Sequence, residues 1–326
     1  MRNGLFTFAL SLLVIFSLFA SCEKMVADEE EGQQQQPAIE TGANLILKVV
    51  AAGTRGDSAP WTTLNFVVYQ ADKKVKGITQ KEGQSGFGEV GMKLTPGTYQ
   101  VMVLAHSSAS NPSLSNPENI KFTNADGFSD TFVAYQDVVV EETAKTHEIS
   151  VTRASAMVRF KTKDVKPAEA KQVSFLYTGG SGAINVKTGY GVDQSKQTVT
   201  VNLPDSLTGK PLQFELYTFP RADEGTLTLT VRMFDATDNK GTLLIYPGSD
   251  QGIRTFSDIP IKKNQITECS GYFFTDGSGD GPGGGGGTGG GTGGGNGGSG
   301  ESTDSTATQF MLVVNPEWGG VVEYNY

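Results

Sequence analysis

The chain has 326 residues and a formal net charge of -9, with 26 Lys and Arg against 35 Asp and Glu, and only two His and two Cys. An acidic balance of this kind excludes nucleic acid as a partner, because a phosphate backbone selects a basic face. Two His leave few candidates for a nucleophile and base pair or a histidine metal site, and two Cys build no disulfide framework, so the chain reads as a non-enzyme without a cofactor.

Residues 1–21 read as a targeting segment. Arg2 supplies the charge, 5–19 an apolar stretch too short for a comfortable membrane span, and Phe19-Ala20-Ser21-Cys22 the small-residue cleavage site. A Cys at that place reads as a lipoprotein signal, with Cys22 the lipidated first residue; an ordinary secretory signal is the plainer alternative. Residues 22–42 follow as a spacer, where Asp28-Glu29-Glu30-Glu31 precedes Gln33-Gln34-Gln35-Gln36, a polar run that cannot fold alone. A lipidated Cys22 leaves Cys269 no intrachain partner, so Cys269 is expected as a small buried apolar residue.

The first expected strand, 43–52, is apolar on its whole odd face, Leu45, Leu47, Val49 and Ala51, while Lys48 stands between Ile46 and Val50 on the other. Such a strand is mostly buried. It runs into Gly53-Thr54-Arg55-Gly56-Asp57-Ser58-Ala59-Pro60, an exposed polar loop of the kind that proteases nick. The tripeptide Arg55-Gly56-Asp57 is also read by some adhesion receptors, but a cut after Arg55 would destroy it.

Further alternating or β-branched runs cover 64–69, 98–104, 131–140, 147–151, 157–161, 172–177, 197–203, 212–219, 225–234, 242–246, 253–261 and 266–274, with turns such as Thr95-Pro96-Gly97 and Tyr246-Pro247-Gly248 between them. No stretch of a dozen residues carries a helical period, which predicts an all-β fold of two tandem sandwich domains, 43–151 and 152–275. The two halves share no clear sequence repeat. Arg153 falls in a second possible loop at their junction, His106 reads as a loop residue and His147 as an exposed strand position. Gly86-Phe87-Gly88-Glu89-Val90-Gly91 has dinucleotide-loop spacing but no helix after it, and the calcium-like start at Asp276 meets Gly287 where the bidentate acid is required.

From Gly277 to Gly300, 17 of 24 residues are Gly. The linker 276–308 is therefore expected as a coil with a root-mean-square reach of roughly 30 Å and a contour of ~110 Å. It leads to a tail, 309–326, whose run Phe310-Met311-Leu312-Val313-Val314 reads as a strand. An apolar end must bury itself, either as the last strand of its own domain or as a strand donated to a partner's sheet edge through Phe310, Leu312 and Val314. Trp318 suits either a partner's pocket or a cap on its own domain.

An acylated Cys, a short spacer, an apolar strand ending in a loop Arg, and then Leu64-Asn65-Phe66-Val67-Val68-Tyr69 together resemble the type V fimbrillins, the major and minor fimbrial subunit lipoproteins. The resemblance continues through Leu94-Thr95-Pro96-Gly97-Thr98-Tyr99-Gln100-Val101-Met102-Val103. It extends to Ile259-Pro260-Ile261-Lys262-Lys263-Asn264-Gln265-Ile266-Thr267 and Gly271-Tyr272-Phe273-Phe274. It implies two transthyretin-like domains in a cell-surface protein that reaches the outer membrane on an acyl chain such as palmitate at Cys22. The acidic residues after Cys22 resemble a surface-export signal.

The resemblance further implies that an arginine-specific protease cuts after Arg55. Gly56 would become the new terminus, and the removable first strand, 43–55, would leave a groove. A neighbouring subunit's C-terminal strand fills that groove, building a homo- or hetero-polymer that serves adhesion. The long glycine linker departs from the family's pattern and keeps two alternatives open: an uncut, lipid-anchored minor or anchor subunit, and a monomeric surface lipoprotein that binds glycan.

Overall fold

The computed structural model describes residues 39–51, 60–123, 128–222, 225–238, 241–247, 249–275, 311–315 and 322–324. Runs of β-branched and aromatic residues separated by tight turns form nineteen strands among them. The first half holds β1 (Leu45–Ala51), β2 (Thr63–Gln70), β3 (Lys73–Lys81), β4 (Glu89–Met92), β5 (Gly97–His106), β6 (Ile120–Lys121), β7 (Phe132–Val140) and β8 (Lys145–Arg153). The second holds β9 (Ala156–Val165), β10 (Gln172–Thr178), β11 (Ala183–Asn185), β12 (Tyr190–Gly191), β13 (Gln197–Asn202), β14 (Pro211–Thr218), β15 (Thr226–Phe234), β16 (Ile253–Pro260) and β17 (Ile266–Gly271). The tail adds β18 (Met311–Asn315) and β19 (Val322–Tyr324).

Two β-sandwiches follow one another along the chain. In the first, the antiparallel sheet β3-β2-β5-β7 packs on β8-β1-β4, with Leu64, Phe66, Val68, Val101 and Val103 from one layer against Leu45, Leu47, Val90, Met92, Ile149 and Val151 from the other. In the second, β13-β10-β15-β16 packs on β14-β9-β17 around Phe160, Phe175, Leu229, Val231 and Cys269. Each sandwich places its first strand between an antiparallel neighbour and its own last strand, which runs parallel: β4 and β8 flank β1, and β14 and β17 flank β9. The strand order thus repeats although the sequence does not, because a sandwich constrains hydrophobic alternation far more than residue identity.

The sandwiches are joined by a third apolar cluster. Strands β2 and β5 bury both faces, sending Leu64, Phe66, Val101 and Val103 into the first core, and Val67, Tyr69, Met102 and Leu104 against Ile120, Phe122, Ile184, Val186 and Phe219. This is why 66–69 is unbroken in apolar residues: a strand covered on both faces has no regular polar phase. A small sheet, β12-β11-β6, crosses the junction and pairs Ile184 with Ile120. Lys187 adds ion pairs to Asp72 at 2.8 Å and Glu118 at 2.9 Å.

The structure corrects several sequence expectations. Strand β3 was not anticipated because Lys73, Lys74, Lys76 and Lys81 mask its pattern, as charges do on edge strands. Residues 242–246 were expected as a strand but form only an isolated bridge, Leu243 to Phe234, since β10 and β16 already occupy both edges of β15. His106 is not a loop residue but ends β5, fully buried. Its Nδ1 accepts from the Ser108 N–H at 3.1 Å, and its Nε2 lies 3.0 Å from the Asn65 side-chain amide.

Arg153 ends β8 rather than lying in a loop. Its guanidinium sits 4.5 Å from the centre of the Phe132 ring and bonds Asp130 at 2.8 and 2.9 Å, so the junction offers a protease no open arginine loop.

Candidate functional site at the first strand and the C-terminal edge

Strand β1 is an inlay. It pairs parallel with β8 from Leu45 to Ala51 and antiparallel with β4 from Leu45 to Lys48, and among the described strands β4 has no other ladder partner. Leu45 and Leu47 are fully buried, Ile46, Val49 and Val50 half-buried, and Lys48 exposed, as the alternation in the sequence requires. By register, Leu45 stands opposite Met92, Leu47 opposite Val90 and His147, and Val49 opposite Ile149. Without β1, the buried Val90, Met92, Ile149 and Val151 would face water and two strand edges would lose their partners.

A clasp of polar groups closes over the start of this strand. Asn44 Nδ2 donates to Leu94 O at 2.9 Å and Glu141 O at 2.7 Å, while its Oδ1 accepts from the Leu94 N–H at 2.9 Å. Glu40 Oε2 accepts from Lys76 Nζ at 2.6 Å and from the Lys93 N–H at 2.9 Å. Burial pushes the Glu40 carboxyl up, but those two hydrogen bonds and the Lys76 charge outweigh it and hold it below its ordinary 4.5. Gly91 lets the clasp close, because a Cβ there would stand 2.7 Å from Ile39 Cγ2. Sequence reasoning missed Glu40, Asn44 and Gly91, because their partners lie tens of residues away.

Cys22, Arg55, Gly56, Phe310 and Trp318 lie outside the described residues. Of the remaining tail positions, Leu312 and Val314 fall in β18, which pairs antiparallel with β17: Leu312 stands opposite Cys269 and Val314 opposite Thr267. The hairpin β18-β19 therefore extends the second sandwich's sheet, in register over Leu312 with Tyr324 and Val314 with Val322. The structure does not bring the tail to β1, which belongs to the other sandwich.

A second clasp fixes the chain where the tail segment departs. Both Asp164 oxygens accept from consecutive backbone N–H groups, Phe273 at 3.0 Å, Phe274 at 2.6 Å and Thr275 at 2.8 Å. Arg254 Nη1 donates to Tyr272 O at 2.9 Å and Phe273 O at 3.2 Å beneath it. Three amides on one carboxylate form an anion nest, and here it pins the end of β17. Cys269 is buried within that strand, and burial pushes its thiol up to about 12, which makes it inert.

The remaining histidine, His147, sits on β8 with a half-buried ring whose Nε2 is enclosed without a partner. Burial holds it below its ordinary value, and Lys145 lowers it further against Glu141.

The class is thus an all-β chain of two tandem sandwiches carrying an inlaid first strand and a strand-forming tail. Residues 62–283 match DUF6562, a family of unknown function, and the chain belongs to that family. No curated protein matches it. Among solved structures, a candidate adhesin from Bacteroides ovatus aligns over 66% of this chain and 82% of its own at 13% identity with a TM-score of 0.43. The fimbrial anchor protein Mfa2 from Porphyromonas gingivalis aligns over 70% of this chain and 90% of its own at 10% identity and 0.40. A candidate cell adhesion protein from Bacteroides eggerthii aligns over 71% and 86% at 8% identity and 0.42.

Proposed function

We propose that the chain is a structural subunit of a bacterial surface fimbrium, exported as a lipoprotein through Cys22, matured by an arginine-specific cut after Arg55 and assembled by strand exchange. The observation that carries this reading is the inlaid β1. It fills the space between β8 and β4 through main-chain pairing and two fully buried leucines, and the chain continues from its end toward Arg55. A strand held in this way leaves a groove of its own shape, and only another strand satisfies the backbone groups exposed there. The tail run Met311–Asn315 is strand-forming and apolar, the chemistry such a groove takes.

The experiment is to treat the full-length protein with an arginine-specific protease and follow its size. The expected outcome is a chain beginning at Gly56 that polymerises on treatment, whereas Arg55→Ala shows no protease-dependent change in its assembly under the same treatment. A chain that loses β1 and remains monomeric overturns the reading.

The second reading is an uncut, lipid-anchored subunit. The clasp of Glu40 and Asn44, which fastens β1 to β3, β4 and the turn after β7, favours it, since that clasp suits a strand meant to stay.

A further inference from the structure

The repeat of strand order between the two sandwiches breaks at one edge. In the second sandwich the last strand, β17, carries β9 on one side and β18, antiparallel, on the other. In the first, the equivalent strand β8 carries β1 on one side from Lys145 to Val151. On its other side only the end is covered, where β7 pairs Val133 with Thr152 and Phe132 with Arg153. From Thr146 to Ser150 this outer edge has no ladder partner among the described residues.

An open edge is a template for another strand unless proline, a bulge or an inward charge spoils it. Strand β8 has no proline, its ladder with β1 runs without a bulge, and its inward row is His147, Ile149 and Val151. Glu148 lies on the outward row, and Lys145, which opens the inward row at the strand's start, is exposed there. Near Ser150 the edge opens into a cleft of about 280 Å³ where β7 and β8 part, walled by Val186, Lys187, Gly189 and Lys263. That cleft leaves room for the side chains of an added strand.

We propose that the outer edge of β8 is a second strand-acceptor site, and that its occupant is the C-terminal strand 311–315 of another copy of this chain. The strand would run antiparallel, as it does on β17. Strand β18 already pairs with the equivalent edge of the equivalent strand, where uncharged inward positions, Thr267 and Cys269, stand opposite Val314 and Leu312. A tail that covers its own β17 cannot also cover β8, so the strand on β8 is that of a second copy whose tail has left its own β17. Joining the second sandwich of one copy to the first of the next is a heterologous contact, which propagates rather than closes. The edge is open with β1 in place, so this association needs no cut at Arg55 and stands independently of the maturation proposed above.

The test uses full-length uncut chains carrying Cys22→Ser, so that the only reactive thiols are introduced ones. Chains with Thr146→Cys, Glu148→Cys or Ser150→Cys are each mixed with chains carrying Val313→Cys and mildly oxidised. The expected result is a disulfide-linked mixed dimer for at least one β8 position, in several-fold excess over the dimer formed with Lys48→Cys, an exposed position on β1 away from the edge. Amides 146–150 should also gain protection from hydrogen exchange as the concentration of the unsubstituted chain rises. No mixed dimer above the Lys48→Cys level at any of the three positions, with folded variants, overturns the proposal. Dimers that form only after cleavage at Arg55 overturn it as well, while leaving the groove reading intact.

Discussion

His106 ties the stability of the first sandwich to pH. Burial pushes its ring down to about 4 from 6.5, against a side-chain hydrogen bond with Asn111 that raises it, so the folded chain holds it neutral while the unfolded chain protonates it. The unfolded state binds more protons between those values. Stability is therefore full above pH 6.5 and falls as pH drops toward 4, by roughly 3 kcal/mol for 2.5 units at 1.36 kcal/mol each. Urea unfolding followed from pH 7 to pH 4 should show this decline, and His106→Asn should flatten it. At Asn44, substitution by Ala leaves two carbonyls and one N–H unpartnered at the head of β1, and the expected cost is about 3 kcal/mol, read as a lower urea midpoint. Neither role was legible in the sequence. Leu45 and Leu47 announce their burial by alternating with their neighbours, whereas the burial of His106 rests on Asn65, 41 positions away, and that of Asn44 on Leu94, 50 positions away.

At the scale of elements, the strands that were readable are those with a one-sided or two-sided apolar pattern. Strand β15 alternates strictly, Leu227, Leu229, Val231 and Met233 inward, and β2 is continuously apolar from Phe66 to Tyr69 because it serves two clusters. Strand β3 was silent because its residues answer to solvent, and 242–246 misled because apolar content does not create a free edge to pair with. The β2–β3 hairpin makes the same point from its turn. Ala71 and Asp72 take φ of 49° and 63°, the left-handed pair that a two-residue hairpin of this twist demands, without the glycine that advertises it. Ala71→Gly should therefore stabilise the protein by about 0.5–1 kcal/mol, visible as a higher thermal midpoint, because it removes the Cβ strain at that position. A loss of stability there would mean the strain is not borne by Ala71.

For the molecule as a whole, the sequence disclosed an all-β architecture and an inlaid strand, yet hid that the two sandwiches share one strand order. Sandwich topology is enforced by alternation and turn placement, which many sequences satisfy, so identity between the halves can vanish while the order of strands persists. It also hid the junction, because Phe122 and Ile184 come from short segments with no periodicity of their own, and nothing in the run 212–219 marks Phe219 as facing the other sandwich. The shared order identifies β1 as the counterpart of the central β9, and distinguishes it from β9 by position: β1 precedes every other strand of both sandwiches and is joined to them through the segment bearing Arg55. On the maturation proposed above, one cut after Arg55 would release β1, whereas β9 is continuous with sandwich strands at both ends, β8 before it and β10 after it.

Mass spectrometry of the protein recovered from fibres on the cell surface tests this directly. The account predicts a chain that begins at Gly56 and lacks β1. A chain that still carries an acylated Cys22 and an intact 43–55 within the assembled fibre would contradict it.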